Sequence, residues 1–178
     1  MTMTMVKTFS GVEFGLRRAG DGDAALLSEF WRHVSSVNLP ARYVGMDDPN
    51  EHAASVLDAH SSRTATFLAF GADGAVICVG ILVADGDDHS ARVLVFTRDG
   101  ITNHGVSWAV LEVLLSEARQ NGVLRVTSVF SVADARAIRL ERKMGFVEAD
   151  YPGHPGYRLL EWKLDQPKQA PPTISELA

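Results

Sequence analysis

The chain has 178 residues, of which 46% are hydrophobic and 22% are charged, and its formal net charge at pH 7 is −5. These values are typical of a globular chain that buries one full core, so we expect a single folded domain. The negative net charge argues against non-specific binding to nucleic acids or to anionic membranes.

The residue content excludes several further classes. The lone cysteine, Cys78, rules out an intrachain disulfide and a cysteine-based metal site, and its apolar surroundings are typical of a buried structural thiol. The histidines show no paired metal-ligand spacing, so no metal site is predicted. No apolar stretch is long enough to cross a membrane, and residues 1–10 lack the apolar core of a signal peptide. The sequence therefore predicts a cytoplasmic protein.

The first third of the chain predicts a strand followed by helices. Residues 1–10 have the character of a terminus without fixed structure. Alternating apolar residues predict a strand over 12–17. A helix is expected over 24–37, where apolar residues recur every three or four positions before Pro40. A second, short helix is expected over 50–60.

Three apolar runs in the middle of the chain predict consecutive antiparallel strands, over 64–70, 75–84 and 91–97. Short polar segments separate them, and the first of these has the length of a hairpin turn. Both alternating faces of Val93–Thr97 are apolar, so this strand is expected to be buried on both sides.

A long helix is predicted directly after this third strand. Apolar residues recur every three or four positions from Val106 onward, and Gly122 ends the pattern. The first amides of such a helix have no intrahelical partners, and the helix dipole adds positive partial charge there. A phosphate-bearing cofactor could therefore bind at the loop that contains Gly105. An ordinary strand-to-helix connection explains the same pattern.

The last third of the chain predicts a strand over 123–130, a helix that follows Ser131 and ends at Gly145, and a closing strand over 157–164. Residues 165–178 are polar and rich in proline, which is typical of a flexible tail. The predicted domain therefore covers residues 11–164.

Two segments resemble the GCN5-related N-acetyltransferase (GNAT) family. The family's loop pattern Gln/Arg-x-x-Gly-x-Gly/Ala corresponds to Thr102–Ser107, with Gly105 as the central glycine. The family's pattern Asn-x-x-Ala-x-x-Leu-Tyr-x-Lys-x-Gly-Phe corresponds to DARAIRLERKMGF, residues 134–146. The matching residues there are Ala137, Leu140, Lys143, Gly145 and Phe146. The resemblance implies an α/β (α+β) protein with the GNAT acyl-CoA N-acyltransferase fold, a mixed, mostly antiparallel central sheet flanked by helices. Within the family, the chain most resembles protein-lysine acetyltransferase domains.

The same resemblance implies that acetyl-coenzyme A (acetyl-CoA) is the acyl donor and that an amine is the acceptor. Backbone amides of the loop would hold the pyrophosphate, and the central strand would flank the pantetheine arm. The implied cofactor-binding residues are Val95, Phe96, Thr97, Thr102, Asn103, His104, Gly105, Val106, Ser107 and Asp134. Neither a nucleic acid nor a membrane is expected as a partner, and pairing of edge strands would permit a homodimer.

The family's usual catalytic side chains are replaced in this chain. Glu141 stands where a tyrosine usually protonates the departing thiolate, and Arg92 stands where lysine-acetylating relatives have a glutamate base. We expect Glu141 to be a solvated helix residue; burial that raised its pKa would let it act as an acid. His89, just before the central strand, can accept a proton through water or can be an ordinary solvated turn residue. Glu141 and His89 are the candidate catalytic residues.

The sequence therefore predicts an N-acetyltransferase that transfers an acetyl group from acetyl-CoA to an amine of a small molecule or a protein. Two alternatives stay open. One is a noncatalytic acyl-CoA-binding sensor or regulatory module on the same fold. The other is a protein with this fold that has lost the cofactor site.

Overall fold

The computed structural model describes residues 2–34, 64–85, 89–101 and 105–164. The strands are β1 (Thr4–Lys7), β2 (Glu13–Arg18), β3 (Thr64–Phe70), β4 (Val76–Ala84), β5 (Ser90–Thr97), β6 (Arg125–Ser131), β7 (Val147–Asp150) and β8 (Tyr157–Lys163). The helices are α1 (Ala24–Trp31), α2 (Val106–Gln120) and α3 (Ala135–Met144), and a 3-10 turn (Asp21–Asp23) precedes α1. The helix predicted over 50–60 and the tail predicted over 165–178 lie outside the described residues. Among the described helices, none has both the length and the apolar character needed to span a membrane.

All of these strands belong to one sheet, in the order β1-β2-β3-β4-β5-β6-β8-β7. Neighbouring strands run antiparallel except β5 and β6, which are parallel. Helix α2 connects these two strands, because parallel neighbours need a crossover connection. The prediction of a mixed, mostly antiparallel sheet flanked by helices is confirmed.

The helices cover the two faces of the sheet separately. Helices α2 and α3 pack on one face, where Leu114 and Ile138 belong to the same buried cluster. Helix α1 packs on the other face, where Phe30 belongs to a cluster with Phe96 of β5. The central strands β4 and β5 therefore lie between helices, which explains why both of their faces are apolar. Cys78 of β4 is a buried thiol, as predicted.

Helix α2 approaches the sheet closely at one glycine. A Cβ atom added to Gly80 of β4 would lie 2.4 Å from Cγ1 of Val110 in α2. A residue without a side chain is therefore needed for α2 to pack at this depth. The contact sets the height of α2 above β4 and β5, and with it the position of the N-terminus of α2.

The N-terminus forms a strand, so the prediction of an unstructured segment over residues 1–10 was wrong. Strand β1 pairs with β2 from Thr4↔Leu16 to Lys7↔Glu13. Val6 is half-buried against the core. A strand of four residues is too short to show a clear alternation, and it gains its stability from pairing with its neighbour rather than from its own residues.

A largely buried ion pair joins β2 to the start of α1. Arg17 Nη1 and Nη2 donate to Asp23 Oδ2 and Oδ1 at 2.6 and 2.7 Å, and Gly20 N donates to Oδ2 at 2.8 Å. The Arg17 guanidinium also lies over the ring of Phe70, 4.8 Å from its centroid. The hydrogen bonds from Arg17 lower the pKa of the Asp23 carboxyl, because they stabilise its charged form.

Candidate active site

The parallel strands β5 and β6 separate along their length. Their pairing ends at Arg92↔Thr127. Strand β5 continues to Thr97 and β6 continues to Ser131, each paired with its antiparallel neighbour on the other side. In the described part of the chain, the two halves of the sheet therefore diverge beyond this last pair. We call the opening the fork: its closed end is at Arg92 and Thr127, and its mouth is at Thr97 and Ser131.

The start of α2 lies at the mouth of the fork. Thr97 is the last residue of β5, and Ser107 is in the first turn of α2. Their hydroxyl oxygens, Oγ1 and Oγ, lie 2.8 Å apart and share a hydrogen bond. This contact holds the first turn of the helix against the end of the strand.

The N-terminus of α2 has the features of an anion site. Its N-cap residue is Gly105, in the left-handed conformation with φ of 75°. Among the described residues no side chain caps the helix, and its first turn contains no acidic residue. The positive end of the helix dipole therefore lies at the mouth of the fork without a neighbouring carboxylate in that turn. A phosphate group would be stabilised at this position.

The N-terminal hairpin packs against the same glycine. A Cβ atom added to Gly105 would lie 2.7 Å from Cε1 of Phe9, which is in the turn between β1 and β2. The Phe9 ring also meets the ring of Trp108 edge-on, with centroids 6.5 Å apart. Any side chain at Gly105 would meet both an unfavourable backbone conformation and an aromatic ring. Phe9 therefore fixes the N-terminus of α2 from outside the sheet.

The predicted loop residues can be located in part. Gly105, Val106 and Ser107 form the start of α2 at the mouth of the fork. The Val106 side chain is buried in the core, so its contribution to a ligand site is limited to its backbone. The remaining predicted loop residues lie outside the described residues: Thr102, Asn103 and His104.

The predicted residues of β5 lie along the open part of the fork. The Phe96 side chain is buried on the α1 side, where its ring centroid is 4.8 Å from that of Trp31, so it faces the core. Val95 and Thr97 are half-buried on the opposite face, which α2 covers. Their contact with a ligand remains a prediction.

Asp134 lies at the same edge of the sheet as the start of α2. It is the half-buried N-cap residue of α3, and it follows β6 closely. Because β5 and β6 are parallel, the helices that follow them begin at the same edge. The Asp134 side chain does not cap α3, whose first turn is closed by Ile138 N donating to the Asp134 backbone oxygen at 3.2 Å.

Glu141 is buried, so the expectation of a solvated helix residue was wrong. Only 5% of its surface is exposed. It shares the buried side of α3 with Ile138 and Met144. These three residues recur at a spacing of three, which places the carboxyl on the apolar side of the helix. That spacing was the signal of burial present in the sequence.

The Glu141 carboxyl contacts a β6 residue that sequence reasoning missed. Ser128 Oγ donates a hydrogen bond to Glu141 Oε2, and only 2% of the Ser128 surface is exposed. Ser128 directly follows Thr127, the last β6 residue that pairs with β5. The pair therefore lies where the fork opens. A serine in an apolar strand carries no signal of such a role in the sequence.

The structure does not bring His89 to the mouth of the fork. His89 is exposed and directly precedes β5, on the closed side of the fork. Its backbone oxygen accepts hydrogen bonds from Leu124 N and Arg125 N at 2.8 and 3.1 Å. The length of β5, about 26 Å of extended chain, separates it from Thr97. Of the two candidate catalytic residues, Glu141 lies at the fork and His89 does not.

Comparisons with known proteins define the class of fold. No protein-family model matches this sequence, and no curated protein matches it. The chain is similar in structure to the GNAT domain of S. lividans PAT, with a TM-score of 0.78, 19% identity, and coverage of 90% of this chain and 96% of that one. It is also similar to yncA of Salmonella typhimurium, solved with its cofactor acetyl-CoA (TM-score 0.69, 18% identity, coverage 97% and 99%). A third similar structure is PaiA N-acetyltransferase from Thermoplasma acidophilum in complex with coenzyme A (TM-score 0.64, 17% identity, coverage 84% and 98%).

This chain therefore has the fold of the acyl-CoA N-acyltransferases. More narrowly, it has the GNAT fold, and the fold predicted from the two sequence segments is confirmed. At identities of 17–19% the likeness defines the fold alone.

Proposed function

We propose that this protein is an N-acetyltransferase that transfers the acetyl group of acetyl-CoA to an amine of a small molecule or a protein. The observation that carries the proposal is the fork between β5 and β6 with the N-terminus of α2 at its mouth. Two similar structures of this fold contain acetyl-CoA or coenzyme A. The cytoplasmic location stays part of the proposal, and the homodimer stays a prediction.

The residues at the mouth of the fork fit the diphosphate of acetyl-CoA. The first turn of α2 is free of acidic residues, and its N-cap residue, Gly105, adopts the left-handed conformation. The hydroxyls of Thr97 and Ser107 add polar groups beside the helix amides. In this proposal the amides over 102–107 hold the pyrophosphate. Val95, Phe96 and Thr97 flank the pantetheine arm, and Asp134 lies on the β6 side of the mouth.

Acetyl-CoA supplies an activated acetyl group, and the protein supplies position and proton transfer. A lysine-type amine has a pKa near 10.4, so it must lose a proton before it attacks the thioester. Arg92, at the closed end of the fork, carries a guanidinium group, which has hydrogen-bond donors but no acceptor for that proton. Glu141 is a carboxyl group at the opening of the fork, and we assign the proton transfer to it. Alignment of the two reactants supplies a further part of the rate.

A noncatalytic acyl-CoA sensor on the same fold is the second candidate. Two replacements favour it: Glu141 stands in the position of the family's tyrosine, and Arg92 stands in the position of its glutamate. Both candidates require acetyl-CoA to bind. Only the enzyme requires acetyl transfer to an amine, so turnover separates the two.

Binding is tested by thermal unfolding with acetyl-CoA, and with ATP and NAD as controls. At about 100 times its dissociation constant, a ligand adds about 2.7 kcal/mol to the free energy of unfolding. For a domain of this size, that raises the unfolding midpoint by about 5–10 °C. A shift with acetyl-CoA alone supports the proposal. The absence of a shift, or equal shifts with all three ligands, would contradict it.

A pair of glycine variants tests where the ligand binds. Gly105 and Gly122 lie at opposite ends of α2, and both have φ of 75°. A side chain at Gly122 meets open space, whereas one at Gly105 meets the Phe9 ring that packs on the start of α2, beside the proposed site. We expect Gly105→Trp to abolish the acetyl-CoA shift and Gly122→Trp to preserve it.

Turnover is measured as release of the CoA thiol with a panel of polyamines, amino sugars and lysine-containing peptides. Release that depends on the amine, and that is lost in Gly105→Trp but not in Gly122→Trp, supports the enzyme. Selective binding of acetyl-CoA without turnover on any amine would favour the sensor.

A further inference from the structure

Glu141 and Ser128 form a polar pair within an apolar part of the core. The cluster around them contains Val126 and Phe130 from β6 and Ile138 from α3. Burial of a carboxyl group costs free energy unless it is hydrogen-bonded, and even a paired buried charge often stabilises a fold less than an apolar pair of similar volume. Packing alone therefore gives no reason for a carboxyl group at this position.

Helix α3 also has apolar contacts that attach it to the sheet without Glu141. Ile138 and Met144 are 8% and 2% exposed, and both belong to the cluster that includes Leu160 of β8. The helix ends at Gly145, and Phe146, 3% exposed, packs in the same cluster. The hydrogen bond between Ser128 and Glu141 is thus one polar contact added to an apolar interface.

We propose that Ser128 is a positioning residue that holds the Glu141 carboxyl as the proton-transfer group of the fork. The inference rests on the proposed function and adds a residue to it. Ser128 occupies the first β6 position beyond the last pair with β5, so it stands where the two strands begin to separate. Its hydrogen bond to Oε2 holds one oxygen of the Glu141 carboxyl group at this point.

The acetyl transfer balances with one proton passed through Glu141. The amine nitrogen forms a bond to the acetyl carbon, the carbon–sulfur bond breaks, and the sulfur leaves with the electron pair. The Glu141 carboxylate takes the proton that the nitrogen loses and passes it to the sulfur. The products are an amide and the CoA thiol, and the carboxylate is restored. Ser128 keeps its proton throughout and orients the carboxylate.

An isosteric pair of variants separates the hydroxyl of Ser128 from its volume. Ser128→Thr and Ser128→Val add the same bulk to β6, but only threonine keeps a hydroxyl that can donate to Glu141.

Removal of a general acid or base costs about 10²–10⁴ in rate, so we expect kcat of Glu141→Gln to fall at least about 100-fold. Ser128→Val should lose about tenfold in kcat, Ser128→Thr should lose less than about threefold, and KM for acetyl-CoA should change little in either.

A double variant tests whether Ser128 acts through Glu141. If it does, Ser128→Val costs nothing further in the Glu141→Gln background, because residues that act as a unit are not additive. Thr66→Val is the control, since it removes a hydroxyl from β3 that is also buried, with 4% exposed, away from the fork. The unfolding midpoint and acetyl-CoA binding of every variant are measured beside its kinetics, with the amine that turns over fastest in wild type.

Each outcome decides one of the two proposals. Loss of kcat in Ser128→Val, rescue in Ser128→Thr and non-additivity with Glu141→Gln support the positioning role. Turnover that Glu141→Gln leaves unchanged, equal losses in the two Ser128 variants, or additive losses would overturn that role and leave the acetyltransferase proposal standing. A wild-type protein that does not bind acetyl-CoA would overturn the proposed function, and the positioning role with it.

Discussion

The hydroxyl oxygens of Thr97 and Ser107 lie 2.8 Å apart, which joins the end of β5 to the first turn of α2. The two elements carry different parts of the proposed donor site. Strand β5 forms one side of the fork, and α2 places the positive end of its dipole at the mouth. The contact therefore couples the position of the helix amides to the position of the strand.

The first prediction concerns a charge placed at Ser107. We expect Ser107→Asp to stabilise the free protein by about 0.3–1 kcal/mol, because a carboxylate in the first turn interacts favourably with the helix dipole. The same charge repels a diphosphate, so the dissociation constant for acetyl-CoA should rise at least about tenfold, a cost of about 1.4 kcal/mol. Unfolding without ligand and calorimetric titration with acetyl-CoA measure the two effects.

Ser116→Asp provides the matched control for this variant. Ser116 is exposed on the same helix, two and a half turns further on, so its charge lies outside the first turn. We expect neither the gain in stability nor the loss of affinity. If Ser107→Asp binds acetyl-CoA as tightly as wild type, the diphosphate does not bind at the start of α2.

The second prediction concerns Phe9, whose ring packs on Gly105 and Trp108. We expect Phe9→Ala to lower the free energy of unfolding by about 2 kcal/mol, less than the 3–5 kcal/mol typical of a fully buried phenylalanine. Loss of this support loosens the start of α2, so acetyl-CoA affinity should fall by about fivefold. Met5→Ala in β1, where the side chain is 67% exposed, is the control and should change neither quantity. Unchanged affinity in Phe9→Ala would mean that the hairpin does not position the site.

Apart from β1, the strands and helices that the structure describes were predictable because their apolar periodicity is local. The runs that became β3, β4 and β5, and the pattern from Val106 to Gln120, need no information from elsewhere in the chain. The fork was not predictable, since the end of a parallel ladder depends on how two strands sit relative to each other. The role of Ser128 was not predictable for the same reason, because it depends on where that ladder ends.

Glu141 shows the opposite case, in which the sequence held the signal. The segment DARAIRLERKMGF is rich in charge, and Glu141 stands between Leu140 and Arg142. Its neighbours in sequence point to other sides of the helix, whereas Ile138 and Met144, three residues away on either side, share its own. Helical spacing rather than local composition decides whether a charged residue of an amphipathic helix is buried.

The third prediction concerns the close contact between Gly80 and Val110. A Cβ at Gly80 would lie 2.4 Å from Val110 Cγ1, so we expect Gly80→Ala to lower the free energy of unfolding by about 1–3 kcal/mol. Val110→Ala removes the opposing methyl groups. The loss of stability in the double variant should therefore be smaller than the sum of the losses in the two single variants. We expect this difference, the coupling energy, to be about 0.5–3 kcal/mol. Denaturant unfolding of the four proteins measures this coupling, and strictly additive costs would show that α2 shifts away from the sheet instead.

The fourth prediction concerns the ion pair between Arg17 and Asp23. Their side chains are 16% and 9% exposed, so the pair lies between a surface ion pair and a fully buried one. We expect Asp23→Asn to lower the free energy of unfolding near pH 7 by about 2–3 kcal/mol, because the Arg17 charge is left without its partner. Arg32→Gln is the control, since its pair with Glu29 is exposed on both sides and should change the free energy of unfolding far less.

The same pair makes the stability of the protein depend on pH. Hydrogen bonds from Arg17 place the pKa of Asp23 in the folded protein below its ordinary value of 3.8. The stabilisation is therefore complete above that ordinary value, and it is lost as the pH falls through the lower, folded pKa. Denaturant unfolding from about pH 6 to pH 2 should show wild type and Asp23→Asn converging at the acid end. A difference that stays constant over this range would mean that the variant loses packing or hydrogen-bond geometry, and that the charge of Asp23 does not stabilise the fold.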